Sequence, residues 1–177
     1  MKLTTVAATG AAAVGTAVAG GLAVDPDGPY YRNLIKPSWQ PAPTVFPIVW
    51  TPLYVDIAVT SAVAADALAA QGRHDERSAL LRALAVNLGL NTGWSWLFFR
   101  VSRPWFAAAE CAALAVSTAD LVRRVGAADR RAGWALLPYP LWCTFATALT
   151  VALARRNPVR VIEGGPVRRL AQRVRRA

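Results

Sequence analysis

The chain has 177 residues, 55% of them apolar and only 17% charged, with 20 Lys and Arg against 10 Asp and Glu for a net charge of +10. Soluble chains carry roughly a quarter charged residues, and here the charges gather between apolar runs close to the ~20 residues a bilayer-crossing helix needs. That distribution excludes an ordinary soluble fold and predicts an all-α, polytopic membrane protein in one domain; because the basic residues sit at the ends of apolar segments, lipid headgroups and topology explain them better than nucleic acid, which is not an expected partner.

The first apolar segment runs from Leu3 to Val24. Lys2 and Ala17-Val18-Ala19 resemble a cleavable leader, but the length favours a retained first helix. Gly10, Gly15, Gly20 and Gly21 predict a small-residue face for close packing. A polar loop follows from Asp25 to Pro43, opening on the turn signal Asp25-Pro-Asp-Gly28. Segment two runs from Thr44 to Ala70, and Pro52 within it predicts a kink. Asp56 also lies within it, where an ionisable group should face the bundle interior or water, while Asp66 near its end suits the interface.

Segment three spans Ala79 to Phe99, after a short polar loop holding the lone histidine, His74. Segment four spans Trp105 to Val122 and contains Glu110 and Asp120, for which hydrogen bonds between helices are the expected role. Segment five spans Gly133 to Ala154. Residues 1–154 therefore form a five-helix transmembrane domain and residues 155–177 a basic C-terminal tail. Arg32, Lys36, Arg100, Arg103 and eight tail arginines then share one side, against eight basic residues on the other, which places the C-terminus in the cytoplasm. The Ala- and Arg-rich composition points to a bacterium and its plasma membrane.

No metal cluster, phosphate loop or Ser-His-Asp set is readable, and Cys111 and Cys143 fall inside predicted helices. What stands out is aromatic. Asn87, Asn91, Trp94 and Phe98 share a face of segment three. Tyr139, Trp142 and Ala146 share a face of segment five, and Trp50 and Tyr54 stand one turn apart on segment two. The amides can join helices or bind a polar ligand group. Aromatic walls with few polar groups suit a flat hydrophobic ligand such as a tetrapyrrole or a sterol.

Three stretches resemble the signatures of the TspO/translocator-protein family, the tryptophan-rich sensory proteins also called peripheral benzodiazepine receptors. They are Pro37-Ser-Trp-x-Pro with Phe46-x-x-Val-Trp-Thr-x-Leu-Tyr54, Asn87-x-x-x-Asn91-x-x-Trp-Ser-x-Leu-Phe-Phe99 before Pro104, and Pro138-Tyr-x-x-Trp142-x-x-Phe-Ala-Thr147. The resemblance implies a five-helix bundle, commonly homodimeric, that binds porphyrin or haem as ligand and has no obligatory cofactor. It implies a pocket under the loop after helix one, built from Tyr31, Trp50, Tyr54, Asn91, Trp94, Cys111, Trp142 and Ala146. It also implies one alternative to a receptor or transporter-like sensor, light-dependent porphyrin breakdown at Trp50 and Trp142; a second alternative, a structural or regulatory partner protein, follows from the basic tail as a docking element. Two departures stand out. Pro41-Ala-Pro43 separates prolines that are usually adjacent, and Leu149-Thr-Val-Ala lacks the tyrosine of a proposed sterol motif, so sterol binding loses support.

Overall fold

A computed structural model describes residues 1–158. Its elements are helices α1 (Leu3–Gly21), α2 (Pro29–Asn33), α3 (Val45–Ala70), α4 (His74–Phe99), α5 (Pro104–Ala128), α6 (Arg130–Ala135) and α7 (Pro138–Arg156), with no strand among the described residues. Prolines open α2, α5 and α7, where the first turn needs no N–H partner. Gly72, at φ 71, makes the tight reversal between α3 and α4. Four stretches are long and apolar enough to cross a membrane: Leu3–Gly21, Val45–Ala70, Pro104–Ala128 and the broken pair Arg130–Arg156. The chain is an integral membrane protein, and the exposed apolar side chains on these stretches, which suit contact with lipid, include Val18, Ile48, Phe106, Val116 and Leu141. Helix α4 is as long but less apolar, since its first turn is charged and its body carries Asn87 and Asn91.

Several boundaries differ from the sequence expectation. Helix α4 begins five residues before Ala79, because Asp75 and Glu76 suit a helix N-terminus and extend it into the polar loop. Segment five is two helices: Asp129 caps α6 by accepting the Ala132 N–H at 2.8 Å, and Pro138 restarts the chain as α7. The loop after α1 contains the short helix α2. Helix α3 continues through Pro52. Arg155 and Arg156 belong to the last turn of α7, and the tail beyond residue 158 lies outside the described residues.

The face by which α1 packs is not the glycine face expected. Thr5, Thr9, Ala13, Thr16 and Gly20 are buried, at helical spacing, whereas Gly10, Gly15 and Gly21 have open space around them. Only Gly20 meets another helix, at the Ser95 hydroxyl of α4. The two ends of α1 are held by neighbours. At its start, Asp66 of α3 accepts the Lys2 N–H and the Thr5 hydroxyl (2.6 Å). Midway, Thr9 donates to Ala58 O at 2.8 Å. At its end, Trp96 Nε1 donates to Ala19 O (3.0 Å) and Arg100 to Leu22 O (2.9 Å), which satisfies carbonyls that a helix end leaves open.

The interior is packed solid at one end and hollow at the other. Leu68, Leu80, Leu121 and Val125 fill the end where α3 turns into α4 and α5 into α6, and Leu53 and Ile57 continue the same cluster along α3 toward the middle of the bundle. At the other end Tyr31 and Leu34 of the lid pack with Phe98, Leu149 and Leu153. The α5–α6 corner is the tightest backbone approach: a Cβ on Gly133 would lie 2.5 Å from Gly126 Cα, whereas a Cβ on Gly126 would meet Gly133 at an ordinary 3.7 Å. Gly133→Ala should therefore lower stability by about 1–3 kcal/mol, as overpacking does, while Gly126→Ala stays near wild type; thermal unfolding in detergent compares them. Equal stabilities would contradict the packing described at this corner.

Candidate functional site

The hollow end holds a cavity of about 490 Å³. Its walls come from α1, the lid and the four long helices that follow. Tyr31 and Gln40 form the lid side, and Trp50 and Tyr54 the α3 side. Asn91, Trp94 and Phe98 line it from α4, Cys111 and Leu114 from α5, and Trp142, Cys143 and Ala146 from α7. All eight residues singled out in the sequence line this one cavity. No lining residue carries a charge.

The aromatic rings are ordered against one another. Trp50 stacks on Tyr54 with centroids 5.4 Å apart, and meets Tyr139 edge-on at 6.1 Å. Trp94 stacks on Phe98 at 5.3 Å, and Trp142 lies 5.9 Å from Phe46. Such stacked and edge-on contacts favour particular ring planes. Two indole donors, Trp94 Nε1 and Trp142 Nε1, are buried without a hydrogen-bond partner, as is Gln40 Oε1. A buried unpaired polar group is costly, and these three side chains line the cavity.

Below the cavity runs a polar chain. Tyr54 donates to Asn91 Oδ1 (2.7 Å), Asn91 Nδ2 donates to the Tyr139 hydroxyl (3.3 Å), and Tyr139 donates to Asn87 Oδ1 (2.7 Å). Asn87 Nδ2 then donates to Ser117 Oγ at 3.1 Å. Helices α3, α4, α5 and α7 are thereby joined at one level. Both amides connect helices, and Asn91 alone also faces the cavity.

The lid is held differently. Gln40 Nε2 donates to the Tyr31 hydroxyl at 2.8 Å, and the Lys36 ammonium sits 4.5 Å above the Tyr31 ring. Burial pushes the Tyr30 hydroxyl up to about 12, so it stays neutral. Trp39 is 47% exposed and touches Phe145 edge-on at 5.9 Å, outside the cavity lining.

The acidic residues need correction. Asp120 pairs with Arg123 and Arg124 on its own helix, at 2.6 Å each, and not with another helix. Both carboxyl oxygens of Glu110 are buried without a partner. One turn of α5 separates the start of a basic run from Asp120, so local ion pairs form first. Asp66 is more than interfacial, since it holds the start of α1. Asp56 is half-buried, and its carboxyl group makes no hydrogen bond among the described residues.

Sequence reasoning missed the contribution of α1, whose Ala17 and Gly20 line the cavity. It also missed Gln40, Ser95 and Thr150 in the lining. Ser95 sits one residue from the Trp94 stripe, and only the approach of Gly20 brings it into use.

The chain matches the TspO/MBR family over residues 5–156. It is 32% identical to the tryptophan-rich sensory protein of Cereibacter sphaeroides over 146 residues, 82% of this chain and 87% of that one. It is 30% identical to the tryptophan-rich protein TspO of Chlorobaculum tepidum over 129 residues, covering 73% and 80% of the two chains. Protein CrtK of Rhodobacter capsulatus is 31% identical over 132 residues, covering 74% and 80%.

Tyr139 is fully buried, and its hydroxyl both donates and accepts in the polar chain. Tyr139→Phe should cost about 1–3 kcal/mol, the penalty for leaving buried amide groups unpaired. The same change should loosen the Asn91 side chain. Unfolding midpoints in detergent measure the first effect, and an unchanged midpoint would rule out a structural role for the chain.

Proposed function

The chain belongs to the TspO/MBR family, and from that premise we propose that it is a membrane receptor or transporter-like sensor that binds a tetrapyrrole, porphyrin or haem, in the cavity under the lid. The observation that carries this is the uncharged aromatic cavity of about 490 Å³ with two unpartnered indole donors in its walls. That size falls in the range of small-molecule sites, roughly 300–1,000 Å³. A flat apolar ring system fits between stacked side chains, and a few acceptor atoms on it would satisfy Trp94 and Trp142. The lid carries Arg32 and Lys36, which suit the acidic edge of such a ligand.

We further propose that α4 supplies a fifth crossing. Its stretch from Ala83 to Phe99 is free of charge, and at ~1.5 Å per residue it covers most of a ~30 Å hydrocarbon core. A homodimer in the bacterial plasma membrane, with a cytoplasmic C-terminus, completes the proposal; family resemblance supports the dimer and basic-residue placement supports the orientation.

A second reading is light-dependent porphyrin oxidation with dioxygen as oxidant. The Trp50–Tyr54 stack favours it, since adjacent oxidisable rings can share an electron deficit. Illumination of the protoporphyrin complex separates the two. Loss of porphyrin beyond one equivalent, abolished in Trp50→Phe, supports catalysis, and loss that stops at one equivalent removes it.

Titration of purified protein with protoporphyrin IX should quench tryptophan fluorescence saturably. Trp142→Phe should weaken the affinity about tenfold, as expected when one buried hydrogen bond to a ligand is lost. The tetrapyrrole reading is abandoned if neither protein shows saturable quenching.

A further inference from the structure

The segment between α2 and α3 closes one end of the cavity, yet few bonds hold it there. Its hydrogen bonds are largely local: Leu34 N–H to Tyr31 O and the Gln40–Tyr31 side-chain pair tie it to the adjoining α2, and Gln40 N–H bonds Pro37 O within it. Apart from these bonds to Tyr31 of the adjoining α2 and the Val45 N–H to Ala42 O bond at the start of α3, its hydrogen bonds to the rest of the bundle, among the described residues, come from one side chain, Asn157, which ends α7. Asn157 Oδ1 accepts the Ile35 N–H at 2.8 Å, and Asn157 Nδ2 donates to Ile35 O at 3.1 Å. The same Nδ2 donates to Leu153 O at 2.8 Å. The amide is only 2% exposed, although Ile35 is 55% exposed.

This pairing copies a peptide group. A side-chain amide presents one acceptor and two donors, and here all three are used. Aspartate would lose the donors, and glutamine would move the amide by one methylene. The bonds have a lever arm onto the cavity. Leu34, next to Ile35, is buried with Leu153 in one cluster, and Leu153 also lines the cavity. Beyond this point the lid touches α7 through the edge of Trp39 on Phe145.

We propose that Asn157 is a positioning residue that latches the lid onto the end of α7 and thereby limits access to the cavity. Its bearing on ligand exchange rests on the proposed tetrapyrrole reading, but the latch itself can be tested without a ligand. Cys111 and Cys143 are free, buried and in the cavity wall, so a small thiol reagent reports how often the cavity opens.

The test uses the full chain in nanodiscs, as wild type, Asn157→Ala and Ile35→Pro. The proline removes the N–H that Oδ1 accepts and leaves Asn157 in place; Leu34, at ψ 135, already has the extended backbone that precedes a proline comfortably. Losing one or two such hydrogen bonds should raise lid opening roughly five- to tenfold. N-ethylmaleimide labelling of the two cysteines and amide exchange over residues 34–40 should rise by that factor, with exchange over residues 84–91 unchanged. With protoporphyrin IX, association and dissociation rates should rise together. Unchanged labelling in a folded variant overturns the latch, as does faster lid exchange with unchanged labelling. Faster exchange in residues 84–91 as well would also overturn it, since general loosening would then explain the result. A wild type that shows no porphyrin quenching defeats the function proposal, while the labelling arm still decides the latch.

Discussion

The Tyr139 hydroxyl is the point on which the bundle depends. It accepts from Asn91 and donates to Asn87, and through them it ties in Tyr54 and Ser117. Water cannot satisfy these groups at membrane depth, so each must find a protein partner. Apolar packing alone discriminates poorly between helix pairings in lipid, because lipid tails are as apolar as leucine. A directional chain through α3, α4, α5 and α7 therefore fixes their mutual rotation. It also separates the solid end of the bundle from the hollow one.

Above that level, large rings hold the helices apart and enclose space. The seven tryptophans divide by role. Trp50, Trp94 and Trp142 line the cavity. Trp39, Trp96, Trp105 and Trp134 are exposed, where an amphipathic ring suits the headgroup region. One residue type thus lines the cavity at three positions and faces outward at four, and its place in the fold decides which. Hydroxyls are managed differently: Thr144, Thr147 and Thr150 bond back to carbonyls four residues earlier on their own helix, which hides them without a partner helix.

The first helix shows how a pattern can be right in kind and wrong in detail. Small residues do make its packing face, but that face is built on threonines, with Gly20 as its single close approach. Threonine offers small size and a donor, as Thr9 shows on Ala58. Glycine count alone could not distinguish this face, since glycine is equally tolerated where nothing is near.

The sequence by itself determined the membrane class, the order of the long apolar helices, the family and the eight residues that meet in the cavity. Composition sets the first two and motif resemblance the family; periodicity along single helices places Trp50, Tyr54, Asn91, Trp94, Trp142 and Ala146, while Tyr31 and Cys111 come from the resemblance alone. Only the tertiary structure decided the partners: Asp66 with the start of α1, Gly20 with Ser95, Tyr139 with both amides, and Asn157 with Ile35. Each of these joins residues far apart in the chain, with Ile35 and Asn157 separated by 122 positions. Local pattern says which way a side chain can point on its own helix. What it meets there depends on how neighbouring helices are rotated and tilted, and that is settled by packing and by the requirement that buried polar groups be paired.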